Sequence, residues 1–518
     1  MITTIIAWLY ITLVCYGWGN MFMHFMLRTI PEKNNILLSH FSIVCLTGLT
    51  IIAGFVQILS LFIPLHGWLI HIPFIIPCFL TSYSGISLSK IKISFGWLSH
   101  ISRQLLILLA LCILLILIMN TWFISHPDTL EYHVEIIKWI QQSRAVPGIA
   151  NINTRLGLQS IWFPACAFFS FSHEGVSYYV HLNAIIAIWA VIFIISQIDK
   201  NRLERSPVSV LWILLLIINL WSYSQIRLTV TSTSPDFIAA IYILFSFYLL
   251  YRQEQIKSKT TFILILCFLF FSFCTKLSSI PVLIPIIYII ILLASERKYK
   301  ILFVSLLVPL MLVAPFLYRN AISSGYMFFP STFPNIIDTD WKLNEKTCNH
   351  IASYITAFAK TGSDLSEDAA ENVNNLRMYE WIPVWWNLRS IADKTIISFS
   401  LLSLFTMISG IKKIRKLGVT KMLCIITAIT GTLFWFFLAP DPRFGFGFLL
   451  ALIGIAADIS FGKMITKYLS RYFLLLTVLN LVIGAYIIYR FNNYFSTRQI
   501  IYPMGISTVS SLVKGEGE

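Results

Sequence analysis

Long apolar runs follow one another along almost the whole chain, separated by short polar segments. A helix that crosses about 30 Å of hydrocarbon needs roughly 17–25 such residues. By this measure the pattern predicts fourteen spans, near residues 3–27, 36–63, 66–83, 104–123, 175–197, 207–224, 234–251, 260–275, 277–294, 301–318, 395–410, 422–438, 444–461 and 471–490. Two long polar stretches, 124–174 and 319–394, interrupt the series. We therefore expect an all-α, polytopic transmembrane helix bundle of about 14 spans with two large loops that carry interfacial helices.

These interruptions also suggest how the chain is organised. We assign residues 1–103 to N-terminal transmembrane spans and residues 104–318 to a transmembrane core that contains the first loop. The large second loop occupies 319–394, and further spans fill 395–518.

Composition supports a membrane protein and excludes other classes. The 518 residues are 57% hydrophobic and only 12% charged, and the mean hydropathy is +0.79. A soluble domain typically carries about 25% charged residues. A single soluble core could not bury this many apolar residues. The composition therefore excludes a soluble enzyme, a disordered protein and a nucleic-acid binder.

The net charge of +15 follows the predicted topology. If the fourth span exits outward, seven short connections on the inner side hold 22 of the 38 Lys and Arg residues but only six of the 23 acids. This asymmetry is a positive-inside signature. It predicts a multi-pass protein of a bacterial inner membrane whose two large loops face the periplasm, and it gives no support to nucleic-acid binding.

The first loop offers a candidate carboxylate, Asp128. Pro127 ends the preceding span, and the following residues predict an amphipathic helix that is too short and too charged to span. Its polar stripe is Glu131, Glu135, Lys138 and Gln142, and its apolar stripe is Leu130, Val134, Ile137 and Ile140. Asp128 either caps this helix, as Asp often does, or presents a carboxylate to a substrate at the membrane surface. His133 is a candidate substrate-binding residue on the same segment.

Several cations and one more acid lie on the predicted outer side, and they are candidate phosphate- or substrate-binding residues: Arg155, Arg227, Asp236, Lys276, Arg319 and Arg443. Arg155 either pairs with Glu131 or Asp128 or meets a phosphate, and Lys276 either snorkels to the interface or binds. An acid such as Asp236 at the mouth of a span is costly unless it is paired or functional. Arg319 opens the second loop, and Arg443 follows a turn that two prolines make rigid, so these two rank highest.

Signals for a metal or a cofactor are weak. Asp338 and Asp340 have a DxD spacing, which suits a divalent cation only when a diphosphate completes its shell. Neither CxxC nor HExxH occurs, so we assign no metal-binding residue and no required cofactor. Tyr379, Trp381, Trp385 and Trp386 cluster before a span, either as an aromatic belt or as a platform for a sugar ring.

The order of these segments resembles that of GT-C-type glycosyltransferases, polytopic enzymes that use polyprenyl-linked sugar donors. Asp128 to His133, Ser234-Pro235-Asp236, Arg319-Asn320 to Pro330, and Pro440-Asp441-Pro442-Arg443-Phe444 are also similar to segments of membrane proteins from bacterial surface-polysaccharide clusters. The resemblance covers residues 104–460, and the chain departs from it in three extra leading spans and in lacking a second acid beside Asp128.

The resemblance implies an undecaprenyl-(di)phosphate-linked sugar or oligosaccharide as donor, a glycan or lipid as acceptor, and Asp128 as the base. Two other functions stay open. One is an O-antigen polymerase or ligase, which transfers whole repeat units by the same chemistry. The other is a lipid-linked oligosaccharide flippase or transporter, which should carry ionisable or Gly/Pro-broken sites at mid-membrane. The predicted span interiors are almost free of charge, which favours transfer at one face.

Overall fold

The computed structural model describes a chain that is helical over most of its length. The described residues are 1–29, 38–83, 95–99, 101–122, 124, 126–173, 176–179, 181–204, 229–256, 258–295, 299–363, 365–460, 475, 478, 482, 486, 498–503 and 506–507.

The α-helices are numbered in chain order within these residues. They are α1 (Ile2–Thr29), α2 (Phe41–Phe62), α3 (Ile72–Tyr83), α4 (Arg103–Asn120), α5 (Val134–Gln142), α6 (Trp162–Phe168), α7 (His181–Glu204), α8 (Pro235–Ile256), α9 (Lys259–Thr275), α10 (Leu283–Ser295), α11 (Tyr299–Ser324), α12 (Glu345–Thr361), α13 (Glu367–Asn375), α14 (Met378–Leu388), α15 (Ile391–Ser409), α16 (Ile411–Ile414), α17 (Val419–Leu438), α18 (Pro442–Ser460) and α19 (Arg498–Ile501).

Nine helices of the described chain are long and apolar enough to cross a membrane, and they lie within Ile2–Arg28, Phe41–Phe62, Arg103–Asn120, Pro235–Gln253, Leu277–Ser295, Ile301–Ser324, Ile391–Ser409, Val419–Leu438 and Pro442–Ser460. Trp68–Phe79, Leu182–Gln197 and Lys259–Thr275 are apolar helices of 10–17 residues at three other predicted spans. The predicted span at 207–224 lies outside the described residues, and so does most of the one at 471–490. The protein is thus a helical membrane protein.

Glycines let α1 and α2 pack with their backbones in contact. A Cβ on Gly19 would stand 1.9 Å from the Val44 carbonyl oxygen, and one on Gly48 would stand 1.8 Å from that of Cys15. Small residues at such crossings allow the close approach that drives helix association in a bilayer. Any side chain at either position would separate the two helices.

Polar residues of α8, α9, α17 and α18 gather at two opposite ends of these helices. At one end, Tyr251 of α8 donates a hydrogen bond to Asp458 of α18 at 2.7 Å, and the Lys421 ammonium of α17 lies 4.8 Å from the centre of the Tyr251 ring. At the other end the start of α8 meets the end of α9 and the start of α18. We call this second end the loop end, because both long connections open there.

Both long connections contain folded elements. The first holds a π-helical turn (Thr129–His133), α5, two 3-10 turns and α6, and the second holds α12, α13 and α14. The first also contains strands β1 (Phe171–His173) and β2 (Val176–Tyr178), which pair antiparallel with each other, and β2 pairs with β3 (Ile506–Ser507). The all-α expectation therefore omitted a small three-stranded sheet, because strands of two or three residues are too short to leave a period-2 pattern.

Candidate functional site

Four charged side chains from distant parts of the sequence meet at the loop end of the bundle. Asp128 precedes the π-helical turn, Asp236 lies in the first turn of α8, Lys276 follows α9, and Arg443 lies in the first turn of α18. Salt bridges connect all four. These residues were each predicted separately, and the fold brings them together.

Asp128 pairs with Arg443. Arg443 Nη1 lies 2.8 Å from Asp128 Oδ2, and both side chains are mostly buried. Asp128 has helical backbone angles and makes no side-chain capping bond to the turn that follows it. Burial by itself would raise the pKa of Asp128, but the Arg443 guanidinium outweighs it and holds that pKa at about 2. Helix capping, one of the two roles predicted for Asp128, is therefore not its role.

The π-helical turn sets the position of the residues after Asp128. A π-turn holds one residue more than an α-turn, so it shifts the helical phase of the side chains before it. Val134, Ile137 and Ile140 of the predicted apolar stripe are buried, but Leu130, which precedes the shift, is 57% exposed. The sequence pattern assumed an uninterrupted α-helix and so placed Leu130 on the wrong face.

Asp236 and Lys276 form a second ion pair beside the first. Lys276 Nζ donates to Asp236 Oδ1, and the same ammonium lies 3.5 Å from the centre of the Phe444 ring. The Lys276 side chain is only 21% exposed, so it does not snorkel outward. Asp236 is 9% exposed, and its cost of burial is offset by this partner.

Arg443 connects the two ion pairs and a third carboxylate. Its Nε lies 3.8 Å from Asp236 Oδ2 and 3.5 Å from Asp441 Oδ2. Nη1 is occupied by Asp128 and by His126 Nε2 at 3.1 Å. Within the described residues Nη2 donates no hydrogen bond, so one edge of the guanidinium is available to an anion.

His126 is a member of this site that the sequence analysis did not identify. Because Arg443 donates to its Nε2, the ring is neutral and carries its proton on Nδ1. Burial, followed by the Arg443 charge, lowers the pKa of His126 and keeps it neutral. Its position two residues before Asp128, across Pro127, was the available sequence signal.

Hydrogen bonds from two tryptophans hold the turn that carries Arg443. Trp435 Nε1 donates to the Asp441 carbonyl at 2.5 Å, and Trp385 Nε1 of α14 donates to the Pro440 carbonyl at 2.7 Å. Asp441 Oδ1 accepts from the Arg443 backbone N–H at 3.1 Å. Trp385 is 3% exposed, so this member of the aromatic cluster is neither an outward belt residue nor an open sugar platform. The second loop therefore positions the turn that carries Arg443.

A family model described as "Domain of unknown function (DUF8201)" matches residues 1–450. The chain belongs to this family. The matched segment contains Asp128, Asp236, Lys276 and Arg443. No curated protein and no solved structure matches the chain.

The charged cluster of this DUF8201 protein is balanced. Arg389, directly after α14, brings its Nη1 to 3.8 Å from Asp441 Oδ2 and adds a third cation. Asp128, Asp236 and Asp441 thus face Arg443, Lys276 and Arg389, and we call these six residues the charged cluster. Because the charges cancel, an anion that binds the Nη2 edge of Arg443 must share the guanidinium charge with the carboxylates.

The other predicted site residues of the DUF8201 chain are not members of the charged cluster. Arg155 pairs with Glu131, one of its predicted alternatives, and its Nη2 lies 3.3 Å from the Tyr354 hydroxyl. His133 is 2% exposed, its ring centre lies 5.2 Å from that of Phe163, and burial lowers its pKa to about 3. A neutral, enclosed imidazole is a poor phosphate ligand, and a substrate-binding role for His133 stays a prediction.

The remaining candidates are Arg319, Arg227 and the DxD pair. Arg319 is buried on α11 and bonds only to Ser60 within the described chain, away from the charged cluster. Arg227 lies outside the described residues. Asp338 and Asp340 are exposed, and the described part of the chain gives them no cluster of three metal-binding side chains. We therefore derive no step through a metal.

Proposed function

We propose that this protein is a glycosyltransferase of a bacterial inner membrane. It moves a sugar or an oligosaccharide from an undecaprenyl-(di)phosphate carrier to a glycan or lipid acceptor at the periplasmic face, in the assembly of O-antigen or another surface polysaccharide. The charged cluster at the loop end of the bundle is its active site.

The observation that carries the proposal is the meeting of Asp128 with Arg443 and Lys276 at the same end of the helices. A transfer from a lipid phosphate needs a carboxylate beside cations at the depth where the headgroup lies. Asp128 can serve as general base, and Arg443 and Lys276 can stabilise the departing phosphate.

In the proposed reaction Asp128 removes the proton from an acceptor hydroxyl while that oxygen attacks the anomeric carbon of the donor. The bond between the anomeric carbon and the phosphate oxygen breaks, and the phosphate leaves with the bonding electrons. The free Nη2 edge of Arg443 holds this phosphate, and Lys276 adds a second positive charge. Asp236 positions Lys276, and Asp441 with Arg389 positions the turn that carries Arg443.

The resting pKa of Asp128, about 2, makes it a weak base. A bound phosphate would share the Arg443 charge that now lowers this pKa, and burial would then raise it. Donor binding therefore activates the base, which couples deprotonation of the acceptor to the presence of a donor. A single sugar and a preassembled repeat unit present the same reacting atoms, so the scheme applies equally to a polymerase or ligase.

The test replaces Asp128 with Asn in a null strain, with surface-polysaccharide assembly and membrane abundance measured together. Asn keeps the shape but cannot accept the proton, so we expect turnover to fall by about 10²–10⁴-fold. The protein should still accumulate in the membrane.

Asp441→Asn is the matched control. It removes one negative charge from beside the same Arg443, yet keeps the oxygen that accepts from the Arg443 backbone N–H. We expect it to retain most of the activity. An abundant Asp128→Asn protein that supports wild-type polysaccharide would refute the catalytic role, and equal losses in both variants would reduce Asp128 to a charge partner.

A further inference from the structure

Arg319 is a buried cation without an anionic partner among the described residues. It is 4% exposed. Its Nη2 donates to the Ser60 carbonyl at 2.8 Å and to Ser60 Oγ at 2.5 Å, and its Nε is buried with no acceptor. Buried charges are normally paired, because removing an ion from water costs several kcal/mol or more. The serine contacts are neutral, so they leave the positive charge uncompensated.

The side chain lines a small cavity beneath the amphipathic helix α5. A second cation, Arg144, lines it as well, together with the neutral Gln159 and Ser323. Arg144 is exposed and forms no ion pair within the described chain. The Gln159 Oε1 atom is also buried without a hydrogen bond, while its Nε2 donates to Leu156 at 2.6 Å. None of the described lining residues is an acid.

The remaining wall of the cavity is apolar and comes from α5 and the segment after it, with Trp139, Ile140 and Val146 among its residues. Two cations beside an apolar wall suit an anion that is attached to a hydrocarbon chain. A phosphate group is the best match, because two arginines can donate several hydrogen bonds to its oxygens.

We infer that Arg319 and Arg144 form a phosphate-binding site for a lipid phosphate, with Gln159 in its wall, separate from the charged cluster. The phosphate enters from the side of Arg144, and the hydrocarbon chain lies against α5. The inference goes beyond the proposed transfer and does not depend on it, because the cavity contains neither Asp128 nor Arg443 and needs no reaction.

Binding to the purified full-length protein in a neutral detergent tests the inference. Native mass spectrometry counts the bound molecules of farnesyl phosphate, dioleoyl phosphatidylglycerol or inorganic phosphate per chain. Arg144→Gln should weaken the binding of farnesyl phosphate about ten-fold, the loss of one charge-assisted hydrogen bond. Lys138→Gln removes the same charge from the polar face of α5, outside the cavity, and should change nothing.

Gln159→Glu is a second variant for the same binding experiment, with a larger expected effect. The new carboxylate neutralises Arg319 and repels a phosphate, so one bound molecule per chain should disappear while any phosphate at the charged cluster stays. Full binding by both Arg144→Gln and Gln159→Glu would overturn the inference. If inorganic phosphate displaces farnesyl phosphate at equal concentration and the two variants weaken both, the phosphate site stands and its ligand is the free anion.

The proposed transfer reaction and the proposed phosphate site can be refuted independently. Loss of activity in Asp128→Asn with unchanged phosphate binding leaves the cavity site intact. Loss of binding in Gln159→Glu with normal polysaccharide assembly leaves the charged cluster as the site of transfer.

Discussion

Arg443 and Arg319 lie at the same end of the helix bundle but have opposite surroundings. Arg443 contacts three carboxylates and a histidine, whereas the described contacts of Arg319 are two oxygens of one serine. An arginine in a balanced cluster can exchange one anion for another at little cost. An uncompensated arginine instead gains from any anion that arrives. The first environment suits a leaving phosphate that must depart, and the second suits a ligand that stays.

The largest expected difference between the two regions is in stability. Arg443→Met removes the common partner of Asp128, Asp236 and Asp441, and unpaired buried charges of this kind cost about 3–5 kcal/mol in the free energy of unfolding. Arg319→Met keeps the volume and removes an uncompensated charge, so stability should stay the same or rise. Thermal unfolding of both variants in detergent measures the difference. A larger loss for Arg319→Met would mean that its charge is already compensated.

A smaller difference concerns the pH dependence of stability. The pKa of His133, beside the charged cluster, is lowered from 6.5 to about 3 by burial. Between these values the unfolded chain binds a proton that the folded protein does not, so stability falls as the pH falls from 6.5. From pH 6.5 to pH 5 the loss is at most about 2 kcal/mol.

His133→Gln should remove that part of the acid sensitivity, and the exposed His66, changed to Gln, is the control. The readout is the unfolding midpoint at pH 6.5 and at pH 5. An unchanged pH dependence in His133→Gln would mean that His133 is not buried in its neutral form.

The smallest expected effect concerns the hydrogen bonds from Trp385 and Trp435 that hold the Arg443 turn. The described surroundings of Arg319 contain no corresponding pair. Trp385→Phe keeps an aromatic ring but loses the indole N–H that donates to Pro440, and the lost hydrogen bond by itself should cost about 1 kcal/mol. Because the turn carries Arg443, activity should fall as well. The neighbouring Trp386 donates no hydrogen bond from its indole within the described chain, so Trp386→Phe should be milder on both counts. Equal losses of stability and activity in both variants would mean that the hydrogen bond from Trp385 to Pro440 has no special role.

Much of the fold follows from the sequence, because a span needs a long apolar run and such runs are visible. The predicted amphipathic helix after Asp128 is also present, with Val134, Ile137 and Ile140 buried. The π-turn was not predictable, since one extra residue in a turn leaves no compositional mark. The short sheet near His173 was not predicted either, because its strands are too short to leave a period-2 pattern.

The sequence by itself determined which residues carry charge beside apolar spans, and this was enough to name Asp128, Asp236, Lys276 and Arg443 as candidates. It could not tell that these four meet while Arg319 lies apart, because their separations along the chain say nothing of their distances in space. Helix packing decided that. It enclosed three carboxylates with Arg443 and none of the described ones with Arg319, and the resulting charge balance distinguishes two arginines that ranked equally in the sequence.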